Sequence, residues 1–200
     1  MTLKGFTFYI QHPILALQRI GLALYEKTHP TEPWFSQGSV RKLEEMLSSD
    51  MKVFEWGSGR STLWFADRVR SIVSIEYNKE WADKVTEMIG AKNVNNVELK
   101  YIPLDHAKHL PTPRIYEPLP KYVSEIFNYP KESFDLVIVD GHYRLTCVDQ
   151  CLDYIKPGGY LLIDNSNRVP RHEWPVPQTW PLIHESENVV TRTSIWQKIK

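Results

Sequence analysis

The pattern that most constrains the fold lies between residues 52 and 165. There, short runs rich in branched apolar residues alternate with segments long enough to form helices. Such alternation favours a parallel sheet whose two faces are covered by helices. We predict strands at residues 52–56, 71–77, 97–104, 134–140 and 160–165. The polar–apolar alternation of residues 191–199, preceded by "WPLIHE", predicts an antiparallel hairpin that closes the sheet. The expected fold class is therefore α/β, a doubly wound and mostly parallel sheet.

The region before the first strand is expected to be helical. Apolar residues recur at helical spacing in residues 14–25, and Pro13 stands where a helix commonly begins. This segment is too short and too polar to span a bilayer, so no membrane partner is expected. We expect the helix to pack on its own domain. The predicted organisation is a helical extension at 1–49 and one Rossmann-like domain at 50–200.

Charge and cysteine content restrict the environment and the partners. The chain has 24 basic and 24 acidic residues, and this balance predicts that it binds neither nucleic acid nor an anionic membrane. Cys147 and Cys151 would share a helix face without bridging comfortably, which indicates free thiols in a reducing compartment. With no evident signal peptide, we expect a cytoplasmic protein. The oligomeric state stays open, a homodimer included.

The turn after the first predicted strand reads "VFEWGSGRSTLWFA" (53–66). Gly57 and Gly59 allow a sharp turn and close approach of a ligand. A dinucleotide fingerprint would need a third glycine where Thr62 stands. Glu55 is expected to face the ligand, where it would repel a diphosphate and attract an ammonium or a sulfonium. Ser61 and Thr62 either cap the following helix or help it bind a carboxylate.

These motifs resemble those of the class I S-adenosylmethionine-dependent methyltransferases. "EWGSGRST" (55–62) is similar to the first motif of that family, and the resemblance continues through "FDLVIVDGH" (134–142) and "IKPGGYLLIDN" (155–165). It implies that Glu76, nineteen residues past Gly57, binds the ribose hydroxyls. It also implies that Asp105 meets the adenine amino group, with His106 as the alternative. The implied cofactor is S-adenosylmethionine, with contacts from Glu55, Gly57, Ser58, Gly59, Ser61, Thr62, Glu76, Asp105, His106 and Asp140.

A second site is expected where the fourth and fifth strands end. Asp140, Asp164 and Asn165 supply oxygen donors that suit Mg²⁺ or Ca²⁺. The set resembles the metal site of the catechol and caffeoyl-CoA type O-methyltransferases. Arg144 stands in place of that type's lysine, and it is a poor proton acceptor because it stays charged. His142 is therefore the predicted general base, with Asp140 beside it, and Arg144 could grip an anionic group of the substrate.

The resemblance implies methyl transfer to a hydroxyl of a small acceptor. N-methylation and a non-catalytic S-adenosylmethionine-binding subunit are the alternatives, and Thr62 and Glu55 disfavour a nicotinamide-dependent enzyme. Two Pro-rich aromatic loops, 108–133 and 166–181, are expected to form binding walls. The aromatic candidates for the acceptor pocket are Trp34, Phe35, Tyr116, Tyr122, Trp174 and Trp180.

Overall fold

The computed structural model describes residues 12–105 and 116–199. Within these residues, seven strands form one sheet in the order β3-β2-β1-β4-β5-β7-β6. Strands β1 to β5 pair in parallel, whereas β7 pairs antiparallel with both β5 and β6. The α/β prediction, including the closing antiparallel pair, is confirmed. The strands are β1 Lys52–Trp56, β2 Ser71–Glu76, β3 Val97–Tyr101, β4 Phe134–Val139, β5 Ile155–Ile163, β6 Leu182–Glu187 and β7 Arg192–Gln197.

Helices cover both faces of the sheet because the buried strands present apolar side chains alternately to each side. In β4, Leu136 and Ile138 pack in one core cluster, while Val137 and Val139 pack in the other. Strand order reverses between β1 and β4, so the carboxyl ends of these two strands flank the crevice where such sheets bind ligands. The described α-helices are α1 Pro13–Thr28, α2 Gln37–Met46, α3 Arg60–Ala66, α4 Lys79–Ala91, α5 Lys121–Ser124 and α6 Arg144–Cys151.

Helix α1 differs from the expectation that it packs on the domain. None of its residues is buried, and Ile14, Leu17 and Leu24 are 73%, 69% and 60% exposed. The opposite face, with Gln18 and Leu22, lies over cavities and not against a closely packed surface. Helix α1 therefore covers two cavities and does not pack closely on the domain. No helix within residues 12–105 and 116–199 is long and apolar enough to cross a membrane.

Most of the aromatic residues expected to line a pocket belong to the core. Phe35, Tyr122, Trp174 and Trp180 are buried, so the interpretation of these four as pocket walls is wrong. Their large apolar surfaces are better removed from water by sealing the ends of the sheet. Only Trp34 of this group is largely exposed and lines a cavity. The first part of the 108–133 loop, through residue 115, lies outside the described residues.

Candidate functional site

A glycine turn follows β1 at the point where the strand order reverses. Gly57 has a φ of 100°, which a side chain rarely tolerates, and a Cβ atom there would lie 2.8 Å from the backbone nitrogen of Gly141. Its N–H donates to the carbonyl of Ile75 at 2.9 Å. The turn therefore brings the ends of β1, β2 and β4 together, and only glycine fits its first position.

Glu55 supports this turn from behind. Its carboxylate is fully buried and accepts hydrogen bonds from the hydroxyls of Ser61 (2.5 Å), Thr62 (2.6 Å) and Ser74 (2.7 Å). Burial raises the pKa of Glu55 to about 7, although the three hydroxyls act in the opposite direction. The prediction that Glu55 faces the ligand needs correction, because it fixes the start of α3 to β1 and β2. Thr62 is likewise buried and accepts the N–H of Gly59 at 3.0 Å.

Glu76 ends β2 with its carboxylate held in one orientation. One oxygen accepts the N–H and the hydroxyl of Ser58, both at 3.1 Å. The other accepts the backbone N–H groups of Tyr77 at 2.9 Å and Asn78 at 2.8 Å. These four donors fix the carboxylate and occupy about all of its lone-pair sites, so a ligand hydroxyl would bind by replacing the side-chain donor, the Ser58 hydroxyl.

A cavity of about 470 Å³, the first cavity, opens in front of Glu76. Of the residues predicted for the site, it is lined by Gly57, Ser58, Gly59, Ser61, Glu76, Asp140, His142 and Arg144. The wall also contains Trp34, which the sequence suggested for the acceptor pocket, and residues that sequence reasoning missed, namely Arg60, Tyr77, Asn78, Trp81, Gly141 and Arg168. Trp81 is held there by a 2.7 Å hydrogen bond from its indole N–H to the carbonyl of Ser58. Its position in the first turn of α4, directly after the acid-ending β2, was the signal that could have identified it.

Of the two predicted adenine contacts, Asp105 is not brought to this cavity. Asp105 is exposed, and its carboxylate accepts the backbone N–H of Lys121 at 3.1 Å. It is not part of the wall of the first cavity. His106 lies outside the described residues.

A second cavity, of about 380 Å³, lies under α1. Trp34, Arg60 and Asp140 line both cavities, so Asp140 stands at their junction. The rest of the second cavity comes from α1, the end of β5 and the β6–β7 turn, through Leu22, Glu26, Asp164, Asn165, Asn188, Val190 and Thr191.

Arg144 occupies the place between the ends of β4 and β5. Its guanidinium donates to the Asp140 carboxylate at 2.8 Å, to the carbonyl of Asp140 at 2.6 Å, and to the carbonyl of Asp164. Its Nε donates to the carbonyl of Gly141 at 3.0 Å. This cation joins the two strand ends, and the idea that it binds an anionic substrate group loses support because its donors are already engaged.

The predicted metal ligands do not fit a metal site. Asp164 Oδ1 accepts the hydroxyls of Thr191 at 2.8 Å and Thr193 at 2.6 Å, and the Asn165 amide donates to the Thr191 hydroxyl at 2.6 Å. Arg144 supplies the positive charge beside Asp140. In the part of the chain that the structure describes, no group of three or more His, Cys, Asp or Glu side chains could hold a metal ion. The resemblance to the catechol-type metal site is therefore not supported.

Asp140, at the junction of the two cavities, has a strongly raised pKa. Its side chain is 27% exposed, and its pKa is raised to about 8. Burial is the main cause, and the carboxylates of Asp164 and Glu55 add to it, while Arg144 acts in the opposite direction. His142 lies elsewhere on the first cavity, where its ring is 5.6 Å from that of Tyr77 between centroids. It does not line the second cavity.

No protein-family model and no curated protein matches this sequence. Solved structures match it by shape. A rRNA methylase from Streptococcus thermophilus superimposes with a TM-score of 0.59 at 14% identity, covering 84% of this chain and 100% of that one. A SAM-dependent methyltransferase from Aquifex aeolicus gives 0.51 at 14% identity, with 80% and 88% covered. The fold is that of a class I methyltransferase.

SMU.1697c from Streptococcus mutans, solved in complex with S-adenosylhomocysteine, also shares this methyltransferase fold. Its TM-score is 0.58 at 14% identity, and the match covers 82% of this chain and 99% of that one. The comparison corrects one prediction from the sequence. Because a rRNA methylase has this fold over its entire chain, balanced net charge does not exclude nucleic acid, and that exclusion was wrong.

Proposed function

We propose that this methyltransferase fold binds S-adenosylmethionine in the first cavity and transfers its methyl group to an acceptor in the second cavity. The observation that carries the proposal is the meeting of the two cavities at Asp140. S-adenosylmethionine supplies a methyl group made electrophilic by its sulfonium sulfur. The residues present fit it, because Glu76 presents an anchored acceptor to ribose hydroxyls beside a turn that Gly57 keeps open.

The chain's own residues would act by positioning and by removing a proton. Asp140 is the best candidate for the base, since it reaches the junction and its pKa of about 8 makes it a useful proton acceptor near neutral pH. Arg144 holds the carboxylate in place through the i,i+4 ion pair. His142, the base favoured by the sequence, lines only the first cavity.

The acceptor group is a finer part of the proposal. The sequence favours a hydroxyl of a small molecule, and an amine is the alternative. A second candidate function is methylation of RNA, which the likeness to a rRNA methylase favours. Arg60 and Arg168, which line the first cavity, would suit phosphate groups in that case.

The test is a calorimetric titration of S-adenosylhomocysteine into the wild type and Glu76→Ala. We expect a binding affinity about 10- to 100-fold weaker in the variant, because hydrogen bonds to a charged acceptor are lost. Glu80→Ala, an exposed acid on α4 outside the cavity, should bind like the wild type. Glu76→Gln, which keeps one acceptor oxygen, separates a loss of ligand contacts from a collapse of the turn. Absence of binding to a folded wild type would reject the proposal.

A further inference from the structure

The side chains that line the second cavity indicate which class of methyl acceptor it binds. We infer that this cavity binds a small primary amine, entering as its ammonium ion, as the methyl acceptor. The inference rests on the proposed function, and it replaces the hydroxyl acceptor that the sequence favoured. Three features of the cavity support it: its acidic side chains, a carboxylate oxygen that accepts no hydrogen bond within the described residues, and an apolar wall.

The charged side chains that line the second cavity are mostly acidic. Glu26 lies on α1, Asp140 at the junction and Asp164 on the floor, and Arg60 is the cation among them. Arg60 is directed to other partners. Its guanidinium lies 4.4 Å from the centre of the Trp34 ring and donates to the carbonyl of Pro30 at 2.9 Å. Asp140 is already paired with Arg144, so the carboxylates that the cavity offers to a ligand are those of Glu26 and Asp164.

Asp164 gives the independent observation. It is only 5% exposed, and both hydroxyl hydrogen bonds that it receives go to the same oxygen, Oδ1. Within the described residues its Oδ2 accepts no hydrogen bond, although the residue lines the cavity. Because Asp164 borders the cavity, a donor from water or from a ligand can reach it. An ammonium brings three N–H donors and a positive charge to it, whereas a hydroxyl brings one donor and no charge.

The remaining wall suits the carbon skeleton of a small amine. Leu22 and Val190 supply apolar surface, and the indole of Trp34, which stacks on the Arg60 guanidinium, adds to it at the junction. A volume of about 380 Å³ is that of roughly a dozen water-sized groups. An aryl-alkylamine or a short diamine is of this size.

The methyl transfer balances with groups that line the two cavities. The Asp140 carboxylate takes one proton from the ammonium, which frees the nitrogen lone pair. That lone pair forms the N–C bond to the methyl carbon while the C–S bond breaks, and the bonding electrons remain on sulfur in S-adenosylhomocysteine. The product leaves as the methylated ammonium ion, and the proton on Asp140 passes to water. The raised pKa of Asp140 makes it basic enough to share in this transfer.

The experiment compares three ligands of one shape and different charge. Phenethylamine, 2-phenylethanol and phenylacetate are titrated into the wild type saturated with S-adenosylhomocysteine, and dissociation constants are measured by ligand-observed NMR. We expect the amine to bind at least tenfold more tightly than the alcohol, and the carboxylate most weakly. Glu26→Gln, an exposed position on α1, should reduce the preference for the amine over the alcohol by about threefold to tenfold. Glu80→Gln on α4 is the matched control and should leave the preference unchanged.

The outcomes separate the two proposals. Failure of S-adenosylhomocysteine itself to bind refutes the proposed function. Binding of S-adenosylhomocysteine with equal affinity for amine and alcohol, or with preference for the carboxylate, refutes only the amine inference. A short RNA that binds the loaded protein and displaces phenethylamine also overturns it. Methyl transfer to phenethylamine and not to 2-phenylethanol, followed as S-adenosylhomocysteine release, would extend a positive binding result to catalysis.

Discussion

The charge state of Asp140 should control the ratio of the protein's affinities for S-adenosylmethionine and S-adenosylhomocysteine. The two ligands differ by the positive charge on sulfur, and Asp140 lines the cavity proposed to bind them. The groups that set its charge are Arg144 and Asp164 beside it, Glu55 behind the turn, and Arg168 near the junction. With a pKa of about 8 in the free protein, Asp140 is mostly protonated at pH 6 and mostly ionised at pH 9.

The sign and size of the effect follow from this pKa. An ionised carboxylate favours the sulfonium, so the affinity for S-adenosylmethionine relative to S-adenosylhomocysteine should rise with pH and level off above about pH 8. With this pKa the ionised fraction falls from about one half at pH 8 to about 1% at pH 6, so the limit is about 50-fold between these pH values. Arg144 neutralises part of the charge, and we therefore expect a change of roughly 10- to 30-fold.

The measurement is a pair of calorimetric titrations, one for each ligand, at half-unit steps from pH 6 to pH 8.5. Asp140→Asn should remove most of the pH dependence of the affinity ratio. Any pH dependence that remains in this variant reports the titration of the ligands' own amino groups. Glu80→Gln should retain the wild-type profile, since this exposed acid lies outside the cavity. A ratio that stays constant with pH in the wild type, or that changes equally in Asp140→Asn, would show that Asp140 does not sense the sulfonium.

Two further predictions concern stability. The pKa of Glu55 is raised to about 7 from an ordinary value of 4.5, so the folded state holds a proton that the unfolded state releases, and stability falls as pH rises from about 4.5 to 7. Glu55→Gln should therefore raise the Tm more at pH 8 than at pH 5, and an equal change at both pH values would contradict this reasoning. Gly141→Ala should lower the Tm strongly because its Cβ would collide with the Tyr122 hydroxyl and meet the Gly57 nitrogen. Gly90→Ala in α4, where nothing lies within 4 Å, should instead stabilise by about 0.5–1 kcal/mol, and similar thermal shifts in the two variants would refute the collision.

The sheet could be predicted from the sequence because its signal is local. Buried parallel strands are short continuous apolar runs, and β1, β2 and β4 lie within a residue of the predicted bounds. Strand β5 begins five residues before the predicted start, since Lys156-Pro157-Gly158-Gly159 continues the strand through an irregular register opposite β4. Proline and glycine in a run normally indicate a turn, and only the pairing with a neighbouring strand decides otherwise.

The site could be predicted in part. The positions of Gly57, Ser58, Gly59 and Glu76 follow from the order of strand, turn and helix. The roles of Glu55 and Arg144 depend on distances across the fold, such as the reach of Arg144 from Asp140 to the Asp164 carbonyl. Trp34 and Arg60 come to the junction because a ring and a guanidinium distant in sequence stack on each other. No periodic pattern in the sequence records such a contact.

Arg144 occupies the strand ends at which the sequence predicted a metal ion. Two carboxylates at neighbouring strand ends need a positive charge, which either a metal ion or a side chain can supply. Here the guanidinium is built into the fold, with four hydrogen bonds to acceptors in the residues that directly follow β4 and β5. It lowers the pKa of Asp140, but burial outweighs it and keeps that pKa raised at about 8. A cationic donor on one side of Asp140 and a cationic acceptor on the other would each favour its ionised form.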